Sequence, residues 1–299
     1  MYNKFKEMDS DNTKVSYESY RTIFNRDFNI GFGYPRSDTC SYCDAFKARQ
    51  TALEIEIKEI PESDTKQRLI NELRTLNINH EVHLRKQKVF YDQKKEAKKE
   101  ARKSNYKEAI SMDYSKNFQC PNIATNDVYY KRQLSMYIFN IHVLSDSSSY
   151  FYMYPETIAR KGSDDVSSFL HHFVTNILDP SVTELTVFCD SCGGQNKNTS
   201  VIRMCHHLVH TQKRLKEIKM VFPVRGHSYL ECDKNIGLIN QKTRTEMPED
   251  WYEVFRTARV KPKPFSVIEV DQNIIRSWTN HFNQRYESNK LSFPTRPIK

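Results

Sequence analysis

Residues 185–198 read LTVFCDSCGGQNKN. The apolar run Leu185 to Cys189 has the length and composition of a buried strand, and it stops at Asp190. Ser191-Cys192-Gly193-Gly194-Gln195-Asn196 follows as a loop of small and amide side chains. Thr199 to His210 then shows the apolar spacing of an amphipathic helix. A strand that hands a carboxylate to a small-residue loop, with a helix behind it, places that carboxylate where α/β sheets gather their ligands.

Outward from this unit the texture is alternating. Upstream, Ala109 to Asp113, Gln133 to Leu144 and Tyr150 to Tyr154 are short runs rich in β-branched and aromatic residues, and each is expected to be a strand. Gly162 to Leu178 carries Val166, Phe169, Leu170, Phe173, Val174 and Ile177 along one helical side. Downstream, Ile218 to Val224 is a last strand, followed by Arg225-Gly226-His227 and a further helical stretch. Three strands followed by helix–strand alternation predict an α/β fold: a ribonuclease-H-like mixed sheet flanked by helices.

Residues 44–104 lack this β texture. Pro61-Glu62-Ser63-Asp64 is a turn and helix start between two long helices. The second helix ends in a basic stretch, with nine Lys/Arg against three Asp/Glu from Arg85 to Lys103. Such a helix either follows a phosphate backbone or is a solvated face. Tyr17, Tyr20, Phe24, Phe28 and Phe32 predict a short packing helix near the start. The expected organisation is therefore an N-terminal helical region (1–106), an α/β domain (107–260) and a C-terminal packing segment (261–299).

Composition narrows the function. Lys plus Arg is 46 against 37 Asp plus Glu, a formal charge of +9, which favours a polyanionic partner, DNA before others. With 7 glycines and no GxxxxGK[ST], nucleotide-cradling loops are excluded, and Gly31-Phe32-Gly33 lacks the third glycine of a dinucleotide loop. No apolar run is long enough to span a membrane. The opening MYNKFKEMDSDNT has no apolar leader core, so a cytoplasmic or nuclear location is expected. Seven cysteines, an odd number, argue against a disulfide scaffold.

Two constellations carry chemistry. Asp113, Asp190 and Asp233 stand at or after successive strand ends, with Glu231 a rival for the third place. Converging carboxylates repel unless a cation neutralises them, and Mg²⁺ or Mn²⁺ suits hard oxygen donors. His227, six residues before Asp233, is a candidate to ligate metal, orient a phosphate or shuttle a proton. Lys197 and Arg225, and Lys94, Lys95, Lys98 and Lys99 on the basic helix, are candidate DNA contacts. Separately, Cys40 and Cys43 form a CxxC, and His80 and His83 lie three apart on one helical face. Two thiolates and two imidazoles suit a structural, tetrahedral Zn²⁺ that would clasp the helical arm.

Asp-Thr-Cys-x-x-Cys-Asp (38–44), His-Leu-Arg-Lys (83–86), Tyr-Tyr-Lys-Arg-Gln-Leu (129–134), Cys-Asp-Ser-Cys-Gly-Gly-Gln-Asn-Lys-Asn (189–198), Gly-His-Ser-x-x-x-Cys-Asp (226–233) and Pro-Glu-Asp-Trp-Tyr (248–252) occur in this order. The set resembles a transposon-derived family of unknown function, abundant in arthropod and cnidarian genomes, with a ribonuclease-H-like, DDE/D transposase-like core. The resemblance implies Asp113, Asp190 and Asp233 as the acid triad with His227 beside the third, and His83 rather than His80 as the partner of Cys40 and Cys43. It implies DNA strand cleavage or transfer by two-metal phosphoryl transfer, and a homodimer as the assembly many transposases use. Full transposases usually carry a DNA-binding module ahead of the core, whereas little precedes residue 15 here, so a fragment, a decayed copy or a domesticated derivative is expected. The alternative function is a catalytically inactive nucleic-acid-binding protein on the same fold. A host-type nuclease is a weaker third.

Overall fold

The computed structural model describes residues 2–8, 14–28, 39–123, 125–126, 130–239 and 243–286. Residues 1–39 form one unit and 40–299 another. The first holds helices α1 (Tyr2–Met8) and α2 (Tyr17–Asp27). Tyr20, Phe24 and Phe28 stack in sequence along the expected aromatic stripe. Phe32 and the Gly31–Gly33 segment lie outside the described residues.

The second unit begins with a helical hairpin, α3 (Ser41–Glu59) and α4 (Asp64–Lys103). Ser63 caps α4, its hydroxyl accepting the Lys66 N–H at 3.3 Å, so the Pro61–Asp64 signal marks the true boundary. α4 has 40 residues, roughly 60 Å of helix. Its far half packs on the sheet through Phe90 and Ala101, which join Ala109, Phe188, Leu230 and Cys232 in one buried cluster.

The sheet comprises β1 (Lys107–Tyr114), β2 (Phe118–Cys120), β3 (Leu134–Val143), β4 (Ser149–Pro155), β5 (Glu184–Cys189), β6 (Glu217–Val221) and β7 (Ser266–Glu269). Its order is β6-β5-β1-β3-β4-β7, with β2 added to β3. β1–β3 and β3–β4 are antiparallel, while β1–β5, β5–β6 and β4–β7 are parallel. The five longest strands are those the sequence predicts. β2 and β7 are not foreseen, being three and four residues long, too short to show a period.

Strand alternation sorts the core onto two faces. Phe139, Ile141, Tyr152 and Tyr154 face one side, with α5 (Ser163–His172), α6 (Thr199–His206) and α9 (Trp278–Arg285). Met136, Ile138, Phe151 and Met153 face the other, with Trp251 and Phe255 of α8 (Pro248–Thr257). α5 and α6 each run on into a π-helical turn, Phe173–Ile177 and His207–Thr211. The C-terminal segment is integral to the core: β7 pairs with β4, and Trp278 and Phe282 are buried. No helix among the described residues is long and apolar enough to cross a membrane.

Candidate functional site

Register sets two of the acidic residues at one end of the sheet. β1 and β5 run parallel, and their pairing ends at Met112 opposite Cys189. The next residues are Asp113, still in β1, and Asp190, the first residue past β5. Ala109 and Ser111 face α4 and the short helix α7 (Glu231–Gly237), and Asp113 shares their side by the two-residue period. α7 carries Asp233 in its first turn. Three buried contacts fix that helix. Cys232 Sγ lies 3.8 Å from Ser111 Oγ, and Asn235 Nδ2 donates to Asn140 Oδ1 at 3.0 Å and to Ser149 Oγ at 2.9 Å.

Asp113 senses both other acids. Burial, then the charges of Asp190 and Asp233, push the Asp113 carboxyl up to about 8. Asp190 is held by its own loop: its Oδ1 accepts the Cys192 N–H at 3.2 Å and an Asn196 Nδ2–H at 2.5 Å. Asn196 is fully buried, and its Oδ1 has no hydrogen-bond partner. Asp233 is more open; its Oδ2 accepts the Leu230 N–H at 2.7 Å, a capping bond for α7. The carboxylates do not close into as tight a set as the cysteines and histidines described below.

One cation at this pole escapes a sequence reading. Lys161 Nζ donates to Ser115 O at 2.8 Å and Asn117 Oδ1 at 2.9 Å, lies 5.0 Å from the Tyr114 ring centre, and interacts with the Asp113 charge. Burial lowers its pKa despite Asp113. Its backbone has φ +61°. Nothing in Ala159-Arg160-Lys161-Gly162 separates it from an ordinary loop lysine.

The second constellation is tighter. Ligand atoms of Cys40, Cys43, His83 and His227 all lie within 4.8 Å of one another, and no other such group of three or more occurs among the described residues. Cys40 Sγ stands 3.4 Å from His83 Nε2, Cys43 Sγ 3.4 Å from His227 Nε2, and the two Nε2 atoms 3.0 Å apart. A tetrahedral ion bound at ~2.0 Å to nitrogen and ~2.3 Å to sulfur sets ligand atoms roughly 3.3–3.8 Å apart, so the four residues could hold a metal ion. Burial, then the charges of His227, His80 and Lys86, lower the pKa of His83, and burial and His80 lower that of His227. Both rings are thus biased to the neutral form that ligates metal.

This geometry corrects two sequence assignments. His80 is not in the cluster. Its ring stacks on Phe46 of α3 at 3.7 Å, and its Nε2 is buried without a partner. His227, expected beside the acids, points into the cysteine cluster instead. Gly226 makes this possible: it has φ +83°, and a Cβ there would lie 2.7 Å from Cys40 Cα. Only glycine permits both that conformation and that approach.

The proposed DNA contacts divide. Lys94 is committed to an ion pair with Glu231 at 3.2 Å, both side chains largely buried, so neither the lysine nor the rival acid is free for its expected role. Burial opposes ionisation of Glu231, but Lys94, a backbone hydrogen bond and His142 together lower its pKa. Lys99 pairs with Glu96 at 3.6 Å. Lys95 and Arg225 are exposed and Lys98 half-buried. Lys197 Nζ lies 5.2 Å over the Phe222 ring. Asn198 is the N-cap of α6, its Oδ1 accepting the Val201 N–H at 3.0 Å.

Fold and sites define a mixed α/β protein with strand-end acids and a separate Cys₂His₂ cluster. The chain belongs to the family described as a domain of unknown function (DUF7869), whose family model matches residues 126–287, a little over half of it. The match includes Asp190, His227 and Asp233, whereas β1 with Asp113, and Cys40, Cys43 and His83, precede it. No curated protein matches the chain.

Proposed function

We propose that this chain is a transposase-like domain that cleaves or transfers DNA strands at Asp113, Asp190 and Asp233, on a ribonuclease-H-like fold of transposon origin. The observation that carries the reading is the register that sets Asp113 beside Asp190 at the ends of adjacent parallel strands, with Asp113 electrostatically strained by both other acids. The sheet order, with β1 central between antiparallel β3 and parallel β5, supports the fold. The donor set fits Mg²⁺ or Mn²⁺: three carboxylates and the unpaired Asn196 carbonyl oxygen are hard oxygen ligands. When bound, two such ions activate the attacking oxygen and stabilise the leaving oxygen of an in-line phosphoryl displacement.

The chain's own residues have separable tasks. Asn196 fixes the Asp190 carboxylate. Burial and the two neighbouring acids push the Asp113 carboxyl up to about 8, so its ionisation at neutral pH depends on a nearby cation. Lys161, Lys197 and Arg225 supply positive charge near the acids for a phosphate backbone, with Lys95 further along α4. The second metal set, Cys40, Cys43, His83 and His227, is proposed to hold a structural Zn²⁺, because two thiols and two imidazoles at tetrahedral spacing form a closed soft site.

Mn²⁺-dependent nicking of plasmid DNA tests the reading. Asp190→Asn is expected to lower the rate by about a thousandfold, on the order of 4 kcal/mol of barrier. Nicking retained in the variant removes the acid triad from the mechanism. The capping bond of Asp233 favours one other reading, a non-catalytic nucleic-acid-binding protein on the same fold. That protein would bind DNA equally well in all three Asp→Asn variants and show no turnover with any metal.

A further inference from the structure

The segment between β6 and α7, residues 222–230, touches both constellations. Its His227 belongs to the Cys₂His₂ cluster, and its Gly226 lies against Cys40. Tyr91 of α4 donates its hydroxyl to His227 O at 3.1 Å. Three residues further along α4, Lys94 grips Glu231, the first residue of α7, and reaches Tyr229 O at 3.5 Å. On the other side, Ser191, next to Asp190, donates its hydroxyl to Pro223 O at 3.1 Å. At the far end, the Leu230 N–H is bonded to Asp233 itself. One short segment thus runs from the neighbour of Asp190, through a cluster ligand, to Asp233.

The ligand sources sharpen this. Cys40 and Cys43 sit at the start of α3, His83 is midway along α4, and His227 alone comes from the segment beside the acids. An ion shared by the four therefore joins the hairpin to that segment. Without an ion, the join rests on these polar contacts, the Lys94–Glu231 pair and the packing of Leu230 and Cys232 with Phe90 of α4.

We infer that the metal of the Cys40–Cys43–His83–His227 cluster is a positioning element for the acidic site: through His227 it holds residues 223–233, and with them Asp233 relative to Asp190. His227 acts on the acids through the chain and not by contact. The inference rests on the proposed hard-metal site, and the test separates the two.

The experiment uses the full chain in three forms: zinc-loaded, zinc-stripped with the chelator removed, and stripped then reloaded with zinc. Amide hydrogen exchange is followed by peptide, and Mn²⁺ affinity by calorimetry. Stripping is expected to speed exchange across 223–237 by about tenfold or more while β1 and β3 stay protected. It is also expected to weaken Mn²⁺ binding roughly tenfold, an ordinary size for coupling between two sites. Returning zinc to the stripped protein is expected to restore both. Unchanged exchange in 223–237, or unchanged Mn²⁺ affinity, overturns the coupling and leaves the acidic-site reading standing. Loss of protection in β1 and β3 as well overturns it too, by making the metal a general stabiliser. Absence of Mn²⁺ binding in the zinc-loaded protein defeats the acidic-site reading, and the coupling with it.

Discussion

Cys40→Ser is expected to weaken zinc binding by roughly 10²–10³-fold, because a structural Zn²⁺ contributes about 10–16 kcal/mol shared among four ligands. Cys40 is buried, and its sulfur is 3.4 Å from His83 Nε2, so serine brings a harder donor on a shorter bond to a site that cannot shift toward it. His227→Ala is expected to lose affinity to a similar degree. His80→Ala should leave it unchanged, since that ring belongs to the Phe46 stack. Competition with a chromophoric chelator measures all three. Equal losses for His80→Ala and His227→Ala would mean that the ion sits elsewhere than the four-residue cluster.

The second large effect concerns Asp113 and pH. Its carboxyl titrates at about 8 in the folded chain against 3.8 ordinarily. Between those values the folded protein keeps a proton that the unfolded chain has released. Stability of the metal-free protein is therefore full below about pH 4 as far as this group is concerned, and declines as pH rises to about 8. The limiting slope is ~1.4 kcal/mol per pH unit. Asp113→Asn removes the slope and is expected to stabilise the metal-free protein at pH 8 by on the order of 3 kcal/mol, less than the full shift because water reaches part of the site. The same proton must leave before a cation can bind, so wild-type Mn²⁺ affinity should rise by up to about tenfold per pH unit from pH 6 to 8. Urea unfolding across that pH range checks the first expectation. A variant that keeps the wild-type pH slope contradicts it.

Much of this architecture is legible in the sequence because its signals are local. LTVFC is an uninterrupted apolar run, and the segment after it has unmistakable loop chemistry, so β5 and Asp190 can be placed without a structure. Pro61 to Asp64 announces the hairpin turn. β2 and β7 are missed because three- and four-residue strands derive their identity from neighbours. The metal cluster is half-visible for the same reason. Cys40 and Cys43 share a turn, and His83 lies on the helix they face, but His227 is 144 residues beyond His83. Helical spacing alone does not separate His80 from His83, and only the family resemblance favours His83; in the fold, Phe46 takes the first. The available clue was Gly226 beside a histidine, a backbone suited to close approach. Lys161 had no clue at all, since its place beside Asp113 comes from how the β4–α5 loop folds back. Lys94 looked like one of many solvent-facing lysines, and only the arrival of Glu231 on α7 buries it.

The most direct measurement of the central proposal is calorimetric titration of Mn²⁺ into zinc-loaded protein, wild type beside Asp190→Ala. The expected result is saturable binding in the wild type, stronger at pH 8 than at pH 6, and none in the variant. Binding that persists in Asp190→Ala, or no binding to the wild type at either pH, would contradict a hard-metal site at the ends of β1 and β5.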